Sequence, residues 1–318
     1  MTSKTFRIKK RMAAGGFSVI LLFFIFLLLK NPSLVASCIG QGLSLCAKTI
    51  IPALFPFIVL SELLISCGFG EFFGNRLGRP LAVLFGISKA SSAAVFLGFL
   101  CGFPVGAKMA VGLYDRGCIN KSECERLLGF CNLPSIAFLV SAVGISLYHN
   151  HSFGIFLWLS SMLSSVVVGI LTKKKKEVKK QVTPVLQPPL NASLFTSAIT
   201  NASVGILSIC SYILFFSTVL GCLSQILSVF HAPPLLKVLL YGFCELTSGV
   251  DAATTLTNRF LSVFLCGLSV GWSGLSVHCQ LMTLCDGRGL SYRFYFLSRL
   301  AESLICAFLV LLFSPFYF

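Results

Sequence analysis

The sequence predicts an all-α polytopic membrane protein with about seven crossings plus two re-entrant hairpins in an inverted repeat. Three observations predict it. Of 318 residues, 56% are hydrophobic and 11% are charged, where a soluble domain carries about 25% charge. The mean hydropathy is +0.91, and the apolar residues gather in runs long enough to span a bilayer. The 25 Lys and Arg outnumber the 10 Asp and Glu, for a net charge of +15, and they cluster in a few turns. Charge this scarce cannot wet a surface, which excludes a soluble enzyme and a disordered tail. A basic nucleic-acid-binding domain would display its charge on one face, so the expected partner is a lipid bilayer and no nucleic acid.

In chain order, residues 1–30 read as a basic N-terminus (Lys4, Arg7, Lys9, Lys10, Arg11) and a signal-anchor helix whose uncharged run is 13–29. At 1.5 Å per residue this run is about 26 Å long, enough to span with its flanks. A second run covers 49–67 and contains Pro52, Pro56 and Glu62. Residues 91–112 are apolar but broken by Gly102-Phe103-Pro104-Val105-Gly106. Residues 127–147 are broken by Asn132-Leu133-Pro134-Ser135, and 152–171 is a clean span. Lys173-Lys174-Lys175-Lys176 opens a basic linker to residue 190. Further spans fall near 198–222, 260–284 and 294–316, with an interrupted stretch at 238–256 containing Glu245-Leu246-Thr247-Ser248-Gly249. The 14 cysteines form no C-x-x-C pair and read as small hydrophobes. The sequons at Asn191 and Asn201 flank the basic linker and are discounted.

The positive-inside rule decides whether the interrupted stretches cross. If 91–112 and 238–256 dip in and return, 19 basic residues lie in the cytoplasm and four lie outside (Lys30, Lys48, Lys237, Arg259). Lys108 and Arg299 remain at membrane depth. This predicts a cytoplasmic N-terminus and an external C-terminus. Residues 40–172 and 191–318 then repeat one order of span, hairpin and broken span with opposite orientation, joined by the 173–190 linker. Paired, Gly/Pro-interrupted segments in inverted repeats point to a binding site at the midplane. Broken helices free backbone groups that hydrocarbon cannot satisfy, and half-helix N-termini can hold an anion.

The expected substrate-binding set is Gly102, Pro104, Lys108, Asn132, Ser135, Glu245, Thr247, Ser248, Ser273 and Gln280, with Glu62, Glu245 and His278 as proton- or ion-coupling groups. Charge at membrane depth is a functional expectation. Lys108 can meet an anion or snorkel to the edge. Glu245 can bind a donor, proton or cation, or pair with Lys108. Glu62 has no local basic partner and reads either as a proton relay or as an acid bonded to a neighbouring helix. The polar residues at the breaks form either a lining or helix–helix glue. His278 is either a packing residue or a proton carrier. Arg299 and Glu302, three apart, can pair with each other. No metal and no cofactor are expected. Gly271-Trp272-Ser273-Gly274 matches the short G-x-S-G of intramembrane proteases. His278 lies on the same segment, poorly aligned with Ser273, and the last crossing has no His, so no nucleophile–base pair forms. No P-loop or H-E-x-x-H motif is present, and no enzyme is expected.

Several motifs together resemble the sporulation integral membrane proteins of the YlbJ type, whose core is the nucleoside-recognition or Gate domain. They are Pro52-Ala53-Leu54-Phe55-Pro56-Phe57, Ser61-Glu62-Leu63-Leu64, Gly102-Phe103-Pro104-Val105-Gly106-Ala107-Lys108 and Glu125-Arg126-Leu127-Leu128-Gly129-Phe130-Cys131-Asn132. In the second half, Gly242-Phe243-Cys244-Glu245-Leu246-Thr247-Ser248-Gly249 fits more loosely. The resemblance covers roughly residues 40–310. It implies a sporulation-associated transporter or permease in a bacterial cytoplasmic membrane. The implied solute is small, polar and anionic, dipicolinate-like or nucleoside-like, and a homo-oligomer is compatible. The alternative is a non-transporting membrane scaffold or channel component for spore assembly.

Overall fold

The structure, a computed structural model, describes residues 3–173 and 192–317. The 173–190 linker, apart from Lys173, and the Asn191 sequon lie outside the described residues. Among these residues the chain is helical, without strands. Five helical stretches are long and apolar enough to cross a membrane by length and composition: Pro32–Ser66, His151–Leu171, Ala192–Val229, Arg259–Cys285 and Arg293–Leu312.

Helix α1 (Ser3–Lys30) ends at Asn31, whose side chain bonds back to Leu27 O. Pro32 then starts α2 (Pro32–Leu45), where its missing N–H costs nothing. A π-helical turn over Cys46–Ile50 leads directly into α3 (Ile51–Ser66). The sequence reading began this span at 49; residues 32–48 are helical as well. The widened turn sits just before Pro52, which can donate no intrahelical bond. The 35 residues of Pro32–Ser66 run about 52 Å and pack along the 38-residue α10 (Ala192–Val229).

Between them lie short α4 (Phe69–Arg76) and α5 (Arg79–Phe85), then α6 (Ser91–Cys101) and α7 (Val105–Asp115). These last two fold back on each other around Gly102 (φ +74°). Their arms close where Gly98 faces Gly106: a methyl on Gly106 would lie 2.8 Å from Gly98 Cα and 2.0 Å from Cys131 O. Helix α8 (Lys121–Phe130) stops at the 131–135 break, and a π-helical segment resumes over Phe138–Leu147. Asn150 caps α9 (His151–Leu171) by accepting from Phe153 N at 3.0 Å.

The second half follows the same order. After α10, α11 (Pro234–Cys244) and α12 (Leu246–Thr254) form another hairpin. Here a methyl on Gly249 would lie 2.2 Å from Gly242 Cα. Helix α13 (Arg259–Trp272) breaks at Ser273 (φ +73°) and continues as α14 (Gly274–Cys285). Helix α15 (Arg293–Leu312) closes the fold against α13, α9 and α8.

Polar contacts define two ends of the molecule. At one end Asp115 pairs with Arg288 at 2.8 Å, Glu125 accepts from Ser291 N at 2.7 Å and Lys173 donates to Val83 O at 2.7 Å. At the other, Asn150 donates to Tyr317 O at 2.8 Å and the Tyr148 hydroxyl meets Ser262 Oγ at 3.0 Å. Helices α9 and α15, and the α13–α14 pair, each run from one end to the other. The α6–α7 hairpin does not: Ser88 N, just before it, donates to Glu123, just after it.

Candidate functional site

The two hairpin tips and the two helix breaks meet. At the first tip, Phe103 N donates to Leu133 O at 2.8 Å, and a methyl on Gly102 would lie 2.3 Å from Ser135 N. At the second, Gly274 (φ +82°) lies against the Glu245–Leu246 backbone, where a methyl would come within 2.9 Å. Between these contacts is a narrow cavity of about 30 Å³, lined by Phe103, Ser135, Glu245, Thr247, Ser276 and Gln280 and walled by isoleucines of α10. That volume holds about one or two waters.

A larger cleft of about 540 Å³ opens towards the end that carries Leu147, a volume suited to a small-molecule ligand. Thr247 borders both spaces and Ser248 borders the cleft. Its wall on α10 is the stripe Ser217, Gly221, Ser224 and Ser228, spaced i, i+4, i+7, i+11 along one helix face. Ser37 and Gln41, four apart on α2, face it, with Tyr241 and Asp251 of the second hairpin. Elsewhere α10 exposes Val204, Leu207 and Phe215.

Glu245 is 3% exposed. It ends α11 in an extended conformation and caps α12, its carboxylate accepting from Thr247 N at 3.0 Å and Ser248 N at 2.7 Å. This places a negative charge at the positive end of α12. Lys108 does not reach it. Its Nζ lies 2.6 Å from Glu62 Oε1, with side chains 23% and 13% exposed, and beside Gly205 of α10. The cation and the acid that sequence left without a partner are each other's partner, tying α7 to α3.

Of the expected site residues, Ser135, Glu245, Thr247 and Gln280 line the cavity, Gly102 and Pro104 form the tip above it, and Ser248 lies in the cleft. Asn132, Ser273 and His278 sit behind it. Ser273 is fully buried and bonds to Val270 O. His278 Nδ1 meets the Tyr295 hydroxyl at 2.7 Å. Asn132 O accepts from Arg299 at 3.0 Å. Arg299 also bonds Gly129 O and pairs with Glu302, so it satisfies carbonyls freed by the break after α8.

Sequence reasoning missed Phe103, Ser276, the α10 stripe and Asp251. The stripe was readable as small polar residues at helical spacing in an apolar run. The sequence counts Arg126 among the cytoplasmic cations, just before the 127–147 run. In the structure Arg126 is 4% exposed and donates to Phe85 O, Gly86 O and Gly169 O, the C-terminal carbonyls of α5 and α9. In the loop after α14, hydrogen bonding to Asp115 holds Arg288 above its ordinary pKa.

These features define an all-helical, multi-pass integral membrane protein whose helix breaks and hairpin tips converge on one cavity. Over 335 aligned positions, 93% of this chain and 82% of the other protein, it is 26% identical to the sporulation integral membrane protein YlbJ of Bacillus subtilis (strain 168). This likeness supports a YlbJ-type family assignment. No family model and no solved structure matches the chain.

Proposed function

We propose that this protein is a transporter or permease of a small polar solute in a bacterial cytoplasmic membrane, acting in sporulation. One observation carries the reading: two hairpin tips and two helix breaks converge on a narrow, mostly apolar cavity with a few polar groups, and Thr247 borders both it and a ligand-sized cleft. Broken helices in hydrocarbon need protein or water around their free backbone groups, and here the tips and breaks are packed against one another beside a cavity of water-sized volume. The name of the Bacillus relative supports the sporulation setting.

In this reading both hairpins are re-entrant, seven segments cross, and the halves 40–172 and 191–318 are inverted repeats. The Ser88–Glu123 contact supports the first hairpin's return to its starting side. The Asp115–Arg288 end is cytoplasmic and the Asn150–Tyr317 end, with the cleft, is external. The solute enters from the cleft, passes Thr247 and reaches the tips. An anionic solute gains Lys108 only by displacing Glu62, so the ion pair sets the cost of admitting it. Solute-dependent thermal stabilisation of the purified protein tests the reading, since a ligand that binds the folded state raises its stability. A panel of dipicolinate, other dicarboxylates and nucleosides should contain a stabilising compound whose effect is lost in Thr247→Trp. No stabilisation by any of them would favour the scaffold alternative.

A further inference from the structure

Behind the cavity, polar side chains from both halves form one buried network. It runs from His278 on α14 to Tyr295 on α15 at 2.7 Å. Asn132, at the first break, faces the Tyr295 hydroxyl. Arg299 holds the Asn132 carbonyl and Glu302, and Ser165 of α9 faces Glu302. Each of these six residues is at most 2% exposed. None but Asn132 and His278 was expected to act.

The network is incompletely bonded. Seven buried side-chain polar atoms among the described residues make no hydrogen bond of good geometry, and five are here: Asn132 Oδ1 and Ser165 Oγ, on side chains that face Tyr295 and Glu302, with His278 Nε2, Arg299 Nε and Glu302 Oε1. A buried polar atom left unbonded forfeits its hydration without replacement, so such atoms rarely occur together unless something else bonds them. Buried waters meet this need, each with about three polar partners. The free atoms include both acceptors and donors, as water requires. The other titratable groups packed around them are the thiols Cys131, Cys266, Cys285 and Cys306. Arg299 is the one cation of the network, and it spends its bonds on backbone carbonyls and one carboxylate oxygen. Glu302 therefore keeps an oxygen free to take a proton without breaking the ion pair.

We propose that this network is a hydrated proton-binding site in which water bridges the free atoms and Glu302 Oε1 takes up and releases the proton. The step is an acid–base exchange: a hydronium ion gives its proton to the carboxylate and leaves as water. That this proton is coupled to solute movement rests on the transporter reading above; proton binding itself does not.

Infrared difference spectroscopy of the purified full-length protein between acid and alkaline buffer tests it without any solute. Beside the band of the exposed carboxylic acids, the wild type should show on acidification a further carbonyl component that shifts in D2O and is absent in Glu302→Gln. Tyr295→Phe leaves the Arg299–Glu302 pair in place and removes the hydroxyl that meets His278 and faces Asn132. It should move the titration midpoint by about one pH unit, a tenfold change in proton affinity. Acid-induced carbonyl bands identical in wild type and Glu302→Gln would overturn the assignment. If Glu302→Gln does not fold, an unmoved midpoint in Tyr295→Phe overturns it instead. Proton binding without solute binding would leave this site intact and sink the transporter reading alone.

Discussion

The Lys108–Glu62 pair gives the most quantitative test of how the first hairpin is held. At 2.6 Å, and with an effective dielectric of about 20, the attraction is roughly 332/(20 × 2.6), or about 6 kcal/mol. Removing two ions from water costs several kcal/mol each and offsets most of it, so the pair contributes little against a neutral replacement. Removing one partner is different, because it leaves the other charge buried and uncompensated. Lys108→Met should therefore destabilise the protein by about 3–5 kcal/mol, and Glu62→Gln by a similar amount. The double variant should return to within about 1 kcal/mol of wild type. At about 2–4 °C per kcal/mol for a large domain, the single variants should lose roughly 6–20 °C in Tm. Unfolding in detergent followed by tryptophan fluorescence reads this directly. A double variant as unstable as either single would refute the pairing, and so would a Lys108→Met protein as stable as wild type.

Other consequences are as sharp. Gly98→Ala would put a methyl 2.1 Å from Cys131 O, whereas Gly112→Ala meets nothing within 4 Å. The first should cost about 1–3 kcal/mol and the second should be silent in the same unfolding assay. Glu245→Ala removes the cap of α12 and should cost about 0.5–2 kcal/mol while weakening solute-dependent stabilisation; Glu245→Gln, which keeps an acceptor, should be milder in the unfolding assay. Membrane-impermeant labelling of single cysteines in a cysteine-free background should find positions 115 and 287 cytoplasmic and the 149–151 turn external. An external position 115 would overturn the re-entrant hairpin.

Much of the architecture was legible because membrane helices advertise their interruptions. Gly102, Pro104, Pro134 and Glu245 are residues that a continuous apolar helix does not tolerate without cause, and each marks a tip or break. Ser273 was legible only through its Gly neighbours. The start of α2 was not legible, since Lys30, Asn31, Pro32 and Lys48 read as a connection. Pro32 instead begins a helix that runs through Lys48. The Lys108–Glu62 partnership joins residues 46 apart and has no local signature; only packing of α7 on α3 creates it. The role of Arg126 was hidden for a related reason. Its charge read as a loop cation, but three carbonyl oxygens at the ends of α5 and α9 needed a donor. Backbone groups of this kind are invisible in a sequence, and so are the orphan atoms around Glu302.

Uptake into proteoliposomes measures the central claim most directly. Vesicles containing folded wild-type protein should accumulate labelled dipicolinate or a nucleoside from the panel saturably, and Thr247→Trp, which puts an indole where cleft and cavity share a wall, should abolish that uptake. Wild-type vesicles no more permeable than protein-free ones to every member of the panel, or equal uptake by wild type and Thr247→Trp, would contradict a solute path through the meeting point of the two tips and breaks.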